Sequence, residues 1–197
     1  MDGTEEPEIV LRARARAREA GFALSSEPGV GALLAMLAAA APQNAAILEL
    51  GTGAGVGLAW IVHGVRDRSD VSVVTVDTDA ELLALTQSDA WPEYVEFLSR
   101  DGSAVVRERG PFDLIFADAV GGKLDRLDAT IAAIAPRGIL IVDDMDPALH
   151  DSDGLREPLQ LVTQQIRSAP HLVSVELPFS TGVILAAKLT DKTAEQG

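Results

Sequence analysis

Apolar and polar residues follow two different periods along this chain. Short runs that are almost wholly apolar recur at 46–50, 71–77, 94–98, 112–118 and 138–143. Between them lie segments whose apolar residues are three or four positions apart, at 56–65, 79–88, 102–108 and 124–135. Strands covered on both faces are almost continuously apolar, whereas surface helices are amphipathic. The alternation therefore predicts a parallel sheet with helices on both faces.

The two ends of the chain add further elements to this pattern. Helices are predicted over 6–20 and from Pro28 to the residues before Pro42, because proline favours the first helical turn and ends a helix that reaches it. A last helix over 154–168 precedes two strand-like runs, 171–177 and 182–189. The short sequence PFSTG between these runs leaves no room for a crossover helix, so we expect an antiparallel hairpin.

Composition and charge restrict the class of protein. A chain of 197 residues with 47% hydrophobic residues has enough apolar side chains for one domain with a sizeable core. The net charge of −14 disfavours nucleic acid and anionic membranes as partners. The absence of cysteine excludes disulfides, thiolate catalysis and cysteine-ligated metals. The longest apolar run, 29–41, is too short to span a membrane, so we predict a cytoplasmic protein.

The domain division expected from these patterns has three parts. Residues 1–21 form an arginine-rich N-terminal helix that covers a cleft or contacts a second copy in a homodimer. Residues 22–189 form the main domain, and residues 190–197 form a flexible tail.

The most informative stretch is ILELGTGAGVG at residues 47–57. An apolar strand carries Glu49 near its end and then gives way to glycines at 51, 53, 55 and 57. The dinucleotide fingerprint requires glycine at its sixth position, which is Val56 here, and this departure disfavours a nicotinamide cofactor. A ligand with an ammonium group and a ribose, but no phosphate, suits the acid and the exposed backbone better. A tight turn needed only for packing is the alternative.

Two further strand ends carry acidic residues. Asp77 lies 24 positions after Gly53, close to the offset at which an acid binds ribose hydroxyls. Asp79 is interpreted as the N-cap of the next helix. At the end of the third strand, Asp101, Gly102 and Ser103 offer a carboxylate and amides to a purine edge, although capping accounts for Asp101 nearly as well.

These motifs together resemble a known family. ILELGTGAGVG, TVDTD, RDGSA, PFDLIFAD and RGILIVDDM occur in the order and spacing of class I S-adenosylmethionine-dependent methyltransferases. The chain is most similar to bacterial O-methyltransferases related to catechol O-methyltransferase, and the resemblance covers about residues 22–189. It implies an α/β fold with three α-β-α layers, Rossmann-like, whose seven-stranded sheet is mostly parallel and has an antiparallel C-terminal hairpin strand.

The resemblance also implies a cofactor and its binding residues. S-adenosylmethionine would lie in the groove opened by Gly51, Gly53 and Gly55. Glu49 would lie near its methionine amino group, Asp77 would hold the ribose, and the turn from Asp101 through Gly102 to Ser103 would contact the adenine. The activity implied is transfer of a methyl group to a hydroxyl oxygen of a small molecule.

Three carboxylates are candidates for the chemistry beyond cofactor binding. Asp118 ends the fourth strand, and Asp143 and Asp144 end the fifth, so these acids should meet at one edge of the sheet. In the metal-dependent members of the family the matching residues bind a divalent cation such as Mg²⁺, but the third is asparagine where this chain has Asp144. Asp118 is therefore predicted as a catalytic, cofactor-contacting and metal-binding residue. Lys123, five positions later, is the other catalytic candidate.

Three alternatives to this activity share parts of the pattern. A metal-independent methyltransferase would use the acids at the strand ends only to give the site its shape. A non-catalytic S-adenosylmethionine-binding protein would keep Asp77 and the glycines, and a nicotinamide-dependent oxidoreductase would share the sheet. The acceptor substrate is not specified by the sequence, because the loop at 145–157 that would contact it varies with substrate in such folds.

Overall fold

A computed structural model describes residues 6–150 and 154–190 of the chain. The helices are α1 (Glu8–Glu19), α2 (Pro28–Ala40), α3 (Val56–Gly64), α4 (Ala80–Gln87), α5 (Gly102–Glu108), the short α6 (Val120–Lys123), α7 (Leu127–Ala132) and α8 (Arg156–Ser168). The strands are β1 (Ala46–Leu50), β2 (Ser72–Asp77), β3 (Val95–Ser99), β4 (Phe112–Ala117), β5 (Ile134–Val142), β6 (Leu172–Leu177) and β7 (Val183–Lys188). A 3₁₀ turn at Pro147–His150 follows β5.

The seven strands form one sheet in the order β3-β2-β1-β4-β5-β7-β6. β1 to β5 pair in parallel, whereas β7 runs antiparallel to both β5 and β6. The predicted fold class and the C-terminal hairpin are therefore confirmed. Since the strand order reverses between β1 and β4, the carboxyl ends of these strands define the edge where such folds bind ligands.

Two apolar clusters cover the sheet, one on each face. The first contains buried residues of α1, α2 and α3, and the second contains those of α5, α7 and α8. α2 and α3 pack closely, because a Cβ at Gly31 would overlap the indole of Trp60 and one at Gly64 would overlap the carbonyl oxygen of Ala35. This contact fixes the beginning of α2 relative to the helix that follows β1.

One predicted boundary was wrong. The helix expected over 124–135 is only Leu127–Ala132, because β5 already begins at Ile134, which pairs with Phe112. The ladder between β4 and β5 then shifts register before Leu114 pairs with Ile139. The intervening Arg137 has a φ of 67°, a left-handed conformation that an apolar run alone does not reveal.

The N-terminal helix is part of the core. Val10, Ala13 and Ala17 of α1 are buried, and the helix packs against α3. α1 thus adds to the first cluster beside α3, and its predicted role as a cleft cover or dimer contact stays a prediction. The segment after it, residues 22–27, reaches the ligand-binding edge of the sheet.

In the described parts of the chain, no helix has the length and apolar content needed to cross a membrane. The tail predicted at 190–197 lies, apart from Thr190, outside the described residues.

Candidate functional site

A cleft of about 310 Å³ lies at the carboxyl ends of β1, β2, β4 and β5. One wall is the segment 22–27, and the floor is the turn after β1, residues 51–54 with Val56 and Gly57. Its acidic side chains come from four parts of the chain: Glu27, Asp77, Asp118, Asp143 and Asp144. The structure thus brings the acids that end three different strands into one cavity.

The turn after β1 requires glycine at its first position. Gly51 has a φ of 103°, and a Cβ there would lie 2.9 Å from the carbonyl oxygen of Asp118. Its N–H and that of Thr52 donate to the carbonyl of Val76 at 2.9 and 3.1 Å. The turn is therefore held between the ends of β2 and β4, with Gly51 and Gly53 on the surface of the cleft. Gly55 lies outside the lining and is the N-cap of α3.

Asp77 lines the cleft and is already oriented by the backbone. Its Oδ2 accepts a hydrogen bond from the Gly53 N–H at 2.7 Å, and its Oδ1 accepts one from the Asp79 N–H at 2.9 Å. Each oxygen keeps a free lone pair, since a carboxylate oxygen can accept about two hydrogen bonds. Asp79 caps α4 through the N–H groups of Glu81 and Leu82, as expected.

Glu49 is fully buried behind the floor of the cleft and is not part of its lining. Its Oε2 accepts a hydrogen bond from Thr75 Oγ1 at 2.5 Å, and Thr75 Oγ1 is 2.6 Å from Thr52 Oγ1. Its Oε1 has no hydrogen-bond partner among the described residues and lies against Gly57, which lines the cleft. Burial raises the pKa of Glu49 well above its usual value, with smaller effects from Asp118 and Asp77. The hydrogen bond from Thr75 and a weaker interaction with the Leu58 N–H oppose this rise.

The segment 22–27 is a part of the site that the sequence pattern did not reveal. The Phe22 ring lies against Gly53, where an added Cβ would be 2.7 Å from it. Ser26 is buried, and Ser25 Oγ is a second buried oxygen without a partner among the described residues. Leu24, by contrast, is 81% exposed at the cleft. The segment belongs to no helix or strand, so only the fold places it in the wall of the cleft.

The turn predicted to contact adenine lies beside the cleft rather than in its lining. Asp101 caps α5 by accepting from the Ser103 N–H at 2.8 Å. Gly102 and Ser103 are buried, and a Cβ at Gly102 would lie 2.6 Å from the carbonyl oxygen of Gly121. Packing against the segment after Asp118 therefore accounts for the glycine at 102, and the adenine contact stays a prediction.

Asp118, Asp143 and Asp144 come together at one end of the cleft. Burial and the neighbouring charges of Asp143 and Asp144 raise the pKa of Asp118 well above its usual value. Burial also raises the pKa of Asp143, although its Oδ1 accepts hydrogen bonds from Thr181 Oγ1 at 2.6 Å and the Asp144 N–H at 2.8 Å. Asp144 has a φ of 54°. The strand ends converge as expected, but no group of three or more ligands in the described residues is arranged to hold a metal ion.

Lys123 is buried behind this acidic end and does not line the cleft. Its Nζ donates to the carbonyl oxygen of Asp143 at 2.8 Å. Its charge opposes the rise in the pKa of both Asp118 and Asp143. This geometry favours a role in holding the end of β5 over direct contact with an acceptor.

Comparisons with known proteins place this site in a family. Residues 48–145 match a family model described as a methyltransferase domain. A Mycobacterium ulcerans protein that is named as an O-methyltransferase is 30% identical over 93% of this chain and 86% of its own length. An O-methyltransferase from Bacillus cereus, solved in complex with S-adenosylhomocysteine, superposes with a TM-score of 0.78 at 20% identity, covering 95% of this chain and 93% of that one.

A solved Corynebacterium glutamicum protein has the same fold, with a TM-score of 0.80 at 22% identity over 97% of this chain and 94% of that one. At such identities the solved structures establish only the fold. Membership of the family is established by the family match and the mycobacterial relative. The chain therefore belongs to the class I S-adenosylmethionine-dependent methyltransferases and is an O-methyltransferase.

Proposed function

We propose that this cleft binds S-adenosylmethionine and directs its methyl group to a hydroxyl oxygen of a small molecule held at the acidic end. The observation that carries the proposal is the buried Glu49, whose Oε1 lacks a partner among the described residues and lies against Gly57, a lining residue of the cleft that presents Asp77. An unpaired buried oxygen costs free energy, so a cationic group that reaches it gains a strong hydrogen bond.

The residues present fit the cofactor. Glu49 is proposed to pair with the methionine ammonium, and the free lone pairs of Asp77 to accept from the two ribose hydroxyls. The backbone of Gly51 and Gly53 passes along the cofactor because both glycines form the surface of the cleft. The turn at Asp101 to Ser103 is proposed to reach the adenine edge from beside the cleft.

S-adenosylmethionine supplies a methyl group on a sulfonium, which an oxygen nucleophile attacks in line. The protein must align the acceptor and remove the hydroxyl proton. Asp118 is proposed to accept the hydroxyl proton of the acceptor, because its carbonyl oxygen contacts the Gly51 turn while its side chain lines the acidic end of the cleft. It therefore lies between the proposed cofactor and acceptor positions. Lys123 is proposed to support this end through Asp143 rather than to act as a base.

The charge of the lining disfavours acidic acceptors. Five carboxylates line the cleft, and none of the described lining residues is lysine or arginine. A negatively charged acceptor would be repelled there, whereas a neutral or cationic hydroxyl compound would not. The net charge of −14 likewise disfavours nucleic acid as a partner. A cytoplasmic location is proposed beside it.

Assistance by Mg²⁺ is a separate proposal. The oxygen ligands of Asp118, Asp143 and Asp144 have the chemistry that Mg²⁺ prefers. Their present arrangement does not form a three-ligand site, and Asp143 Oδ1 already accepts two hydrogen bonds. We therefore derive no catalytic step through a metal. A homodimer is likewise a proposal, to be checked by light scattering.

Calorimetry with four ligands tests the proposed function. S-adenosylmethionine and S-adenosylhomocysteine should bind to the wild-type protein, and NAD and NADP should not. Binding of a nicotinamide cofactor alone would contradict the assignment of the cleft. Methyl transfer to a panel of neutral phenols, followed by mass spectrometry, tests the catalytic half of the proposal.

A further inference from the structure

Arg16 of α1 reaches the cofactor turn from outside the cleft. Its side chain is only 10% exposed, although it belongs to a helix with arginines at 12, 14, 16 and 18. Its Nε donates to the carbonyl oxygen of Ala54 at 3.0 Å, and its Nη1 pairs with Asp89 Oδ2 at 2.8 Å. Its guanidinium also lies 5.6 Å from the centre of the Trp91 ring. These contacts set Arg16 apart from Arg12, which is 43% exposed.

A second hydrogen bond holds the same turn from the same side. Thr86 Oγ1 of α4 donates to the carbonyl oxygen of Gly53 at 2.9 Å. The carbonyls of Gly53 and Ala54 are thus both engaged by side chains outside the cleft, while the Gly53 N–H donates to Asp77 within it. The Gly53 carbonyl shares its peptide plane with the Ala54 N–H. The Ala54 carbonyl shares its plane with the Gly55 N–H, which donates to the Thr52 carbonyl at 2.8 Å. The outer contacts therefore fix the two peptide planes that directly follow the Gly53 N–H, the group that donates to Asp77.

We propose that Arg16 is a positioning residue for the cofactor, holding the turn at residues 53–55 in its binding conformation through the carbonyl of Ala54. This inference rests on the proposed function of the cleft. It gives α1 a role in cofactor binding, although α1 lies before the residues matched by the methyltransferase family model. Asp89 and Trp91 hold the guanidinium in place, because a buried cation needs a charged partner and an aromatic face supports it.

The test compares three variants by calorimetric binding of S-adenosylhomocysteine. Arg16→Met removes the hydrogen bond and the charge, while Arg12→Met is the matched control, because Arg12 also lies near Asp89, at 3.6 Å, and has no hydrogen bond to the turn. Arg16→Lys keeps a charge for Asp89 but cannot supply the same forked contact. We expect Arg16→Met to weaken binding about 10- to 100-fold, Arg16→Lys to be intermediate, and Arg12→Met to bind like the wild type.

Kinetics distinguish positioning from a general loss of structure. Arg16→Met should raise KM for S-adenosylmethionine by a similar factor, while kcat at saturating cofactor stays within about threefold of wild type. If Arg16→Met does not fold, a smaller but measurable loss of binding is still expected in Arg16→Lys, which keeps a charge for Asp89. Equal binding by wild type and Arg16→Lys or Arg16→Met overturns the inference. A wild-type protein that binds neither form of the cofactor instead overturns the proposed function.

Discussion

Replacing Glu49 by glutamine should weaken cofactor binding and stabilise the free protein. The substitution keeps the shape of the side chain and its contact with Thr75 but removes the charge proposed to face the methionine ammonium. A hydrogen bond to a charged group contributes about 1.5–3 kcal/mol, so affinity for S-adenosylhomocysteine should fall about 10- to 150-fold. Burial of the ionised carboxylate costs the free protein the hydration of its charge, and glutamine removes that charge although it still leaves one buried amide group unpaired. Relief of that cost should raise the melting temperature of Glu49→Gln by several degrees at alkaline pH.

The pH dependence has a definite sign. Burial raises the pKa of Glu49 in the folded protein above that in the unfolded chain. The folded state therefore holds this proton more tightly, and the resulting stability is complete below the unfolded pKa, about 4.3, and is lost as the pH rises through the folded pKa. The difference in melting temperature between Glu49→Gln and wild type should be small near pH 4 and should grow towards pH 9.

Two measurements and one control complete this experiment. Calorimetry in buffers with different ionisation enthalpies should detect a proton released on binding by the wild type where Glu49 is protonated, and none by Glu49→Gln. Glu27→Gln removes an exposed acid of the same cleft and should leave both the stability profile and the proton release unchanged. The proposed role of the buried carboxylate would be refuted by two results together. The melting temperatures of Glu49→Gln and wild type would differ by the same amount at every pH, and the two proteins would bind the cofactor with equal affinity.

Four further outcomes are expected. Asp77→Ala should lower affinity for S-adenosylhomocysteine at least tenfold in calorimetry, and unchanged affinity would contradict ribose binding. Asp118→Asn should reduce turnover far more than cofactor affinity. Titration of the chelator-treated wild type with Mg²⁺ tests for a metal requirement, and full activity in chelator would contradict one. Phenols that carry a carboxylate should have kcat/KM at least tenfold below neutral isosteres in a methyl-transfer assay, and equal values would contradict repulsion by the cleft. A variant lacking residues 1–21 should lose the buried Val10 and melt at least several degrees lower, whereas unchanged melting would contradict the core role of α1.

Sequence reasoning succeeds where one pattern specifies one structure. The apolar runs predict every strand of the sheet to within a few residues, because a short, almost wholly apolar run between amphipathic helices is typical of a strand buried on both faces. Glu49, Asp77, Asp118 and Asp143 are predicted at one edge because parallel strands end together. The structure places the three aspartates in the lining of the cleft and Glu49 directly behind Gly57 of its floor.

The remaining features depend on contacts between distant residues. The segment 22–27 has no periodicity, so its position in the wall of the cleft follows only from the packing of α1 and α2. Lys123 is a candidate in the sequence because only five positions separate it from Asp118, but the backbone turns it away through Gly122, whose φ is 93°. Arg16 resembles its neighbouring arginines in the sequence, and its contact with Ala54 spans 38 positions. Local sequence patterns cannot predict such contacts.

The segment 22–27 also affects the entropy of ligand binding. Both of its ends are anchored, by the buried face of α1 on one side and by the close contact of Gly31 with Trp60 on the other. Fixing a backbone residue costs about 1–2 kcal/mol, and the cost of closing a loop increases with its length. The eight residues between the two fixed helices have little freedom left to lose, whereas an unanchored arm of the same sequence would lose that freedom on every binding event. The wall is therefore largely organised before a ligand arrives, and more of the contact energy is retained as affinity.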